Sequence, residues 1–423
     1  MVCAAGMVCY HLGFLVPKIL EVRAEKGLGN GYAFGDDFYP VWLTTREGWR
    51  HHRDPYSPEM TREIQTGLFG RPLDGRNPLD PPAGYREFAY PAYVDILFWP
   101  AAGLPYPAVR IILGFLLPLT TAAGIILWLW AMRFRPGPAI VGLLLLLTLC
   151  SYEVLEALFA EQLGLVVGFL VAASMAALVA GKYVTAGTLL ALSTIKPQMV
   201  VLLIFFLLLW STAKWRERRG LAMAFVLTQA LLCGAALVVW PRWIQHWVSV
   251  LFDYRSYSVP PLTSDLFGPG FGAIFGAMLA AVLVGTGIAV AWRVRACSAD
   301  SPEFLLALSL LLAITSVALV PGHAFYDHVV LLPGIILMVR FWRRLSLSQR
   351  PVRWMLFITT AVLCWQWLAA TALVAIHPLI SAERFDGALG VPIRMIGPFP
   401  LVLLALLAVM TRQALRGNLK WEI

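Results

Sequence analysis

Charge is scarce in this chain. Asp, Glu, Lys and Arg make up 13% of its 423 residues, about half the share of an average soluble domain. Apolar side chains fill 59% of the positions, more surface than one core can bury at this length. A soluble globular protein is therefore excluded, and an integral membrane protein is the class that remains. Cysteine is sparse as well. The six at positions 3, 9, 150, 233, 297 and 364 lie mostly inside apolar runs, which rules out a disulfide framework and a paired C-x-x-C metal site. Low-complexity tracts and long linkers are missing, and so is a clear internal repeat of the kind that marks many transporters.

What the sequence has in abundance is apolar runs of membrane length. Segments near 2–20, 107–131, 137–152, 162–180, 220–240, 270–292, 302–320, 325–342, 352–374 and 394–412 approach the ~20 residues that a helix needs to cross ~30 Å of hydrocarbon. A further stretch, Tyr183 to Thr212, has Lys182 before it and Lys214 after it. Basic residues at both ends place both ends on one side, so it reads as two short helices. The expectation is an all-α integral membrane protein with about twelve transmembrane helices, forming one polytopic domain over 1–423 with both termini cytoplasmic. A cleaved leader is not expected, because no basic residue precedes the first apolar run and no small-x-small site follows it.

Charge distribution supports that orientation. The expected inner loops and tail hold 17 Lys/Arg against 4 acids, including Lys214-Trp-Arg216-Glu-Arg218-Arg219 and Arg340-Phe-Trp-Arg343-Arg344, while the remaining regions are net acidic. The formal charge of +9 is then the positive-inside bias of a membrane protein and needs no nucleic-acid partner. Lys18, Arg23 and Lys26 run against the bias just outside the first apolar segment. Two outer loops are long: 21–106, polar and rich in proline, and 241–269, which carries Trp240, Trp243, Trp247, Tyr254 and Tyr257 at interface height. Within the first, Phe88 to Leu104 is apolar but contains Asp95, Pro91 and Pro100, the pattern of a surface helix.

Four features carry chemistry. The first loop opens with Gly35-Asp36-Asp37-Phe38-Tyr39-Pro40-Val41-Trp42. An acid pair in a loop is by default a solvated turn, but Tyr32, Phe34, Phe38, Tyr39 and Trp42 crowd this one, as suits a carboxylate kept at a lipid–water boundary. Downstream, Arg53-Asp54-Pro55-Tyr56 reads as a turn that positions the loop. The second feature is Lys196-Pro197-Gln198 at the apex of the 183–212 excursion. Arms of ~15 residues rise only ~22 Å and sink that apex below the outer surface, where a lysine is costly unless it meets an anion. The third is Gly322-His323-Ala324-Phe325-Tyr326-Asp327-His328, with His323 and Asp327 one helical turn apart; zinc spacing is absent. The fourth is Glu153, Glu156, Glu161 and Gln162, at the outer ends of the third and fourth apolar segments.

Taken in order, these motifs resemble the membrane-embedded GT-C glycosyltransferases, and glycosyltransferase family 87 in particular. The likeness rests on D-F-x-x-x-W from Asp37 to Trp42, then Phe88-Ala-Tyr90-Pro91, Glu161-Gln162-Leu-Gly164, Ala186-Gly187, Lys196-Pro197-Gln198 and Asp327-His328 before Leu-Leu-Pro. It departs in having Glu161 where the family more often has glycine, and Ala92 where a second proline is usual. The resemblance implies a GT-C fold with surface helices in the long first extracytoplasmic loop. It also implies an enzyme that moves a hexose, typically mannose, from a polyprenyl-phosphate carrier to a hydroxyl of a glycolipid or glycan on the extracytoplasmic side.

On that reading Asp37 is the catalytic carboxylate and Asp36 its neighbour. Lys196 and His328 bind the donor phosphate, while Tyr90, Gln162, Glu161, Asp327, His323 and Arg53 are weaker candidates for substrate contact. A carboxylate in reach of the acceptor hydroxyl can serve as general base, with inversion at the anomeric carbon, and fixed cations stabilise the departing phosphate. No Asp-x-Asp triplet occurs, so no obligatory metal or other cofactor is expected. The lipid-linked donor, the acceptor and membrane lipids are the expected partners of a monomer in the plasma (inner) membrane. The rival readings are a secondary transporter or lipid flippase, whose ionisable residues would sit at the bilayer midplane, and a non-catalytic scaffold.

Overall fold

The computed structural model describes residues 1–28, 36–77, 79–81, 85–257, 268–320, 324–417 and 419. Every regular element among them is helical. Tyr32, Phe34 and His323, singled out above, lie outside the described residues.

Five helices are long and apolar enough to cross a membrane: Val2–Glu25, Tyr106–Ala131, Trp215–Val239, Gly270–Val294 and Arg350–Leu379. The count reaches six if Pro138–Leu149 and Tyr152–Phe159, bent by 51° at their junction, form one span. Five further apolar helices are shorter, at Gly164–Val179, Tyr183–Ile195, Pro197–Ala213, Pro302–Ala318 and Phe399–Leu415. A helix of 16 or 17 residues rises only ~25 Å, short of a full bilayer core. The segment expected at 325–342 is broken outright into a 3-10 helix, Phe325–Leu331, and an α-helix, Leu332–Arg340. Proline sets these breaks: Pro197 and Pro333 each sit in the first turn of a new helix, where a missing N–H costs nothing, and neither fits a helix interior.

The burial pattern matches a molecule whose solvent is lipid. Pro302–Ala318 is apolar all round, and every residue from Phe304 to Ser316 is buried, as a helix at the centre of a bundle must be. Two of its hydroxyls are satisfied within the helix, Ser309 Oγ donating to Leu305 O and Thr315 Oγ1 to Leu311 O, while Ser316 Oγ is buried without a partner among the described residues. Phe399–Leu415, Pro269–Val294 and Pro197–Ala213 surround it. On the outside, Trp215–Val239 and Pro269–Val294 expose Val226, Leu227, Leu231, Phe271, Ile274, Met278 and Val282, an apolar face too large for a water-soluble monomer. Helix Tyr183–Leu192 lies flush against Trp215–Val239 at Gly187, where an added Cβ would come within 2.2 Å of the Leu221 carbonyl oxygen. A small residue is what permits that approach.

The first loop folds as helices Tyr39–His51 and Pro58–Phe69 followed by two five-residue pieces, Tyr93–Leu97 and the 3-10 turn Trp99–Gly103. The single surface helix expected over Phe88 to Leu104 is thus two short ones, with Pro100 in the first turn of the second. Ser57 caps Pro58–Phe69 by accepting from Met60 N at 3.2 Å, the role its short hydroxyl suits. The second loop's Trp240 and Trp243 are buried instead of lying free at an interface. Trp240 Nε1 donates to Arg53 O and Trp247 Nε1 to Ala89 O, both at 2.9 Å, which fastens the second loop onto the first.

Candidate active site

Local sequence places the acid pair, Glu161, Arg86 and Lys196 at turns or helix starts. Lys196 immediately precedes Pro197, and proline keeps its predecessor out of the helical region; Lys196 accordingly has φ −122° and ψ 84°, at the break between Ser193–Ile195 and Pro197–Ala213. Asp37 occupies the turn that feeds helix Tyr39–His51, and its N–H donates to Ala160 O at 3.2 Å. Ala160 to Leu163 form the connection into helix Gly164–Val179, closed by Gln162 N donating to Ala157 O at 2.8 Å. This connection needs a left-handed residue, and Glu161 takes it with φ +55°. Arg86 is also left-handed, φ +68°. Non-glycine residues held there are strained by about 1 kcal/mol or more and gather where function requires geometry.

A continuous chain of charged and polar contacts results. Arg23 Nη2 and Arg86 Nη2 both donate to Asp36 Oδ2, at 3.0 and 2.9 Å. Arg86 Nη1 also pairs with Asp37 Oδ1, and Gln162 Nε2 donates to Asp37 Oδ2. The other end of the Gln162 amide accepts from Lys196 Nζ at 2.5 Å, and Lys196 Nζ donates again to Asp327 Oδ1 at 2.9 Å. Tyr326 presents its ring 4.8 Å from the same ammonium, a cation–π contact. Beside the chain, Glu161 accepts from Arg110 Nε at 3.1 Å and from the Tyr106 hydroxyl at 3.3 Å. Asp36, Glu161, Gln162, Lys196 and Asp327 are all buried. Four carboxylates therefore face four cations with little water between them, where each contact is stronger than at a surface.

Gly164 makes the inner half of this chain possible. A Cβ at that position would lie 2.6 Å from Asp327 Oδ1 and 3.7 Å from Lys196 Nζ. The fold thus draws Asp36, Asp37, Glu161, Gln162, Lys196 and Asp327 into one site although up to 131 residues separate bonded partners. His328 follows Asp327 directly, and its Nδ1 is buried without a hydrogen-bond partner. Tyr93, from the first loop, steadies the apex by donating its hydroxyl to Thr194 O at 2.8 Å.

Other candidates fall elsewhere. Arg53 pairs with Glu63 at 2.7 Å and Glu47 at 3.6 Å, on the outside of the first loop. The Tyr90 carbonyl accepts the Tyr56 hydroxyl at 2.7 Å, an internal bond of that loop. The acid cluster at 153–162 does not act as one: Glu153 accepts from Gln366 Nε2 at 3.3 Å and Glu156 pairs with His11 at 3.0 Å, both away from Glu161. Among the described residues no group of three His, Cys, Asp or Glu converges as a metal site would require.

Three arginines of the site escape a reading of motifs. Arg23 had left a trace, since it is one of the basic residues that violate the positive-inside bias, and Asp36 is the reason. Arg110 is the lone charge in the run 107–131, which by itself marks an ionisable residue in an apolar helix as functional. Arg86 carries no such mark.

The sequence profile of glycosyltransferase family 87 matches residues 88–321. A match over more than half of the chain, joined to this helical architecture, defines a membrane-helix-bearing glycosyltransferase. The chain belongs to glycosyltransferase family 87. No curated protein and no solved structure matches it. Gln162 and Lys196 lie inside the matched residues, whereas Asp36, Asp37 and Asp327 lie outside them and join the site through the folded geometry alone; His328 also lies outside the match.

Proposed function

We propose that the enzyme transfers a hexose, with mannose the preferred sugar, from a polyprenyl-phosphate carrier to a hydroxyl of a glycolipid or glycan, and that Asp37 is the general base. The observation that carries this reading is the bonded chain Asp37–Gln162–Lys196–Asp327, which sets a carboxylate and a buried cation at opposite ends of one amide. Asp37 Oδ2 takes the proton of the acceptor hydroxyl as its oxygen bonds to the anomeric carbon. The anomeric C–O bond to phosphate breaks, the configuration inverts, and polyprenyl phosphate leaves with the bonding electrons. Lys196 and the neighbouring His328, whose Nδ1 has no partner in the fold, meet the charge growing on the phosphate in a poorly hydrated site. Asp36 is already bridged by two arginines and serves as their anchor, not as a second base.

The inner-loop basic bias supports a plasma-membrane protein with this site facing the extracytoplasmic side. Together with the short apolar helices it supports a GT-C fold of about twelve membrane-embedded segments. No cofactor is assigned, and the chain is taken to work as a monomer.

The test is sugar transfer by purified full-length protein from a synthetic polyprenyl-phosphate hexose. Asp37→Asn should lower the rate ~100- to 10,000-fold while donor binding survives, since the amide keeps the shape but cannot take the proton. Transfer at the parental rate by Asp37→Asn would overturn the assignment of the base. Failure of the unaltered protein with every lipid-phosphate sugar, joined to turnover of a nucleotide sugar, would overturn the donor class.

A further inference from the structure

The end of helix Pro302–Ala318 away from Asp327 holds a second polar arrangement that the reaction does not use. A groove of about 310 Å³ opens there between Pro269–Val294, Pro302–Ala318 and Phe399–Leu415. On Phe399–Leu415, Ala408, Thr411, Arg412 and Leu415 line it, positions i, i+3, i+4 and i+7 of one helix face. On Pro269–Val294, Thr286, Val290 and Arg293 do so with the same periodicity, and Arg416 completes the rim. Leu310 forms the floor, eight residues or ~12 Å along the central helix from its start at Pro302. The groove thus has a cationic mouth at the helix ends and an apolar trough running toward the middle of the bundle.

Three observations set it apart from the ordinary basic bias of inner loops. Arg293, Arg412 and Arg416 carry no ion pair among the described residues, although nearly every charge of the catalytic region is matched. Thr411 Oγ1 is buried, in a residue only 2% exposed, and has no hydrogen-bond partner, so the groove wall offers a polar group that nothing in the fold satisfies. Thr286 and Ala408, both small and exposed, leave the trough open sideways, toward the apolar outer face of Pro269–Val294. A loop that needed only positive charge would require neither a trough nor an orphaned hydroxyl.

We infer that this groove binds one membrane lipid with an anionic phosphate headgroup, the phosphate meeting Arg293, Arg412 and Arg416 and an acyl chain lying along Val290 and Leu310. Basic pockets between membrane helices take such headgroups, and each arginine near the surface adds about 1 kcal/mol, or roughly fivefold, to anionic-lipid affinity. The lateral opening and apolar floor favour a lipid over a soluble phosphate, which would gain nothing from Leu310.

Native mass spectrometry of the full-length protein, equilibrated with phosphatidylglycerol or phosphatidylcholine, tests this directly. The unaltered protein should retain one phosphatidylglycerol with at least a tenfold preference, and millimolar inorganic phosphate should not displace it. Arg412→Gln should cut that preference about fivefold. Ala408→Leu fills the trough and leaves all three arginines in place, so it should abolish retention if the lipid sits in the groove. Thermal unfolding and gel filtration of both variants confirm that they are folded. Undiminished retention by folded Ala408→Leu would overturn the groove in favour of diffuse surface charge. Equal retention of the two lipids, or displacement by inorganic phosphate, would overturn the anionic-lipid assignment.

Discussion

Two carboxylates in this protein are buried almost completely and are handled in opposite ways. Asp327, 1% exposed, is paired with Lys196 Nζ at 2.9 Å inside the bundle. Asp95, 0% exposed, has no cationic partner among the described residues; the Thr44 and Thr45 hydroxyls donate to its Oδ1 at 2.9 and 3.0 Å, and burial drives its pKa well above the ordinary carboxylate value. An isolated buried charge is expensive, and a protein either pairs it or lets it go neutral. Where the first loop merely needs helix Tyr39–His51 locked to Tyr93–Leu97, the acid is discharged. At the candidate site the acid is instead matched with a cation. The contrast separates scaffold from site without reference to any relative.

The comparison breaks most visibly at Lys196. Lys196→Met strands Asp327 in the interior, and losing one partner of a buried pair costs ~3–5 kcal/mol. The expected outcome is a large fall in thermal stability along with loss of transfer. Adding Asp327→Leu to that variant should recover most of the stability and none of the activity. Recovery of both would mean that the ion pair is structural only. Gly164→Ala is the next largest effect. The added methyl meets Asp327 Oδ1 at 2.6 Å, overpacking worth ~1–3 kcal/mol. Since it pushes on the pair and not on Asp37, it should impair transfer more than its stability loss explains. Parental activity at equal expression would show that the Lys196–Asp327 geometry is not demanding.

Much of the site was legible because its residues are improbable where they stand. A lysine at the apex of an apolar excursion, adjacent acids among aromatics and an acid within an apolar run each announce themselves energetically, and Asp36, Asp37, Gln162, Lys196 and Asp327 do converge. Partnership was not legible. Nothing in the chain says that Arg86 bridges Asp36 and Asp37, or that Glu156 turns to His11 while Glu161 turns to Arg110, because those choices are made by packing between distant segments. The helix architecture was legible as to class but not as to count. Hydropathy registers how apolar the run at 325–342 is and is blind to its break at Leu331, where a 3-10 helix gives way to an α-helix with Pro333 in its first turn. Arg53 shows the reverse: a charged turn looks the same in sequence whether it faces a substrate or pairs within its own loop, and in the fold Arg53 pairs with Glu63.

The smallest effect sharpens the contrast from the scaffold side. A carboxylic acid whose folded-state pKa is raised binds more protons folded than unfolded, so stability falls as pH rises between the two values. For Asp95 the unfolded value is about 4 and the folded value lies well above it. Its contribution is therefore present in full below about pH 4 and is lost progressively as pH climbs toward the folded value. Asp95→Asn keeps an oxygen for Thr44 and Thr45 and removes the ionisation. The variant should match the parent within about 1 kcal/mol at pH 4 and gain on it as pH rises to 8, measured as the difference in unfolding temperature across that range. Sugar transfer should be unchanged throughout. A variant that instead loses ground with rising pH would mean that Asp95 is ionised in the folded protein and holds a cation, and the distinction between a discharged scaffold acid and a charged site acid would fail at its simplest case.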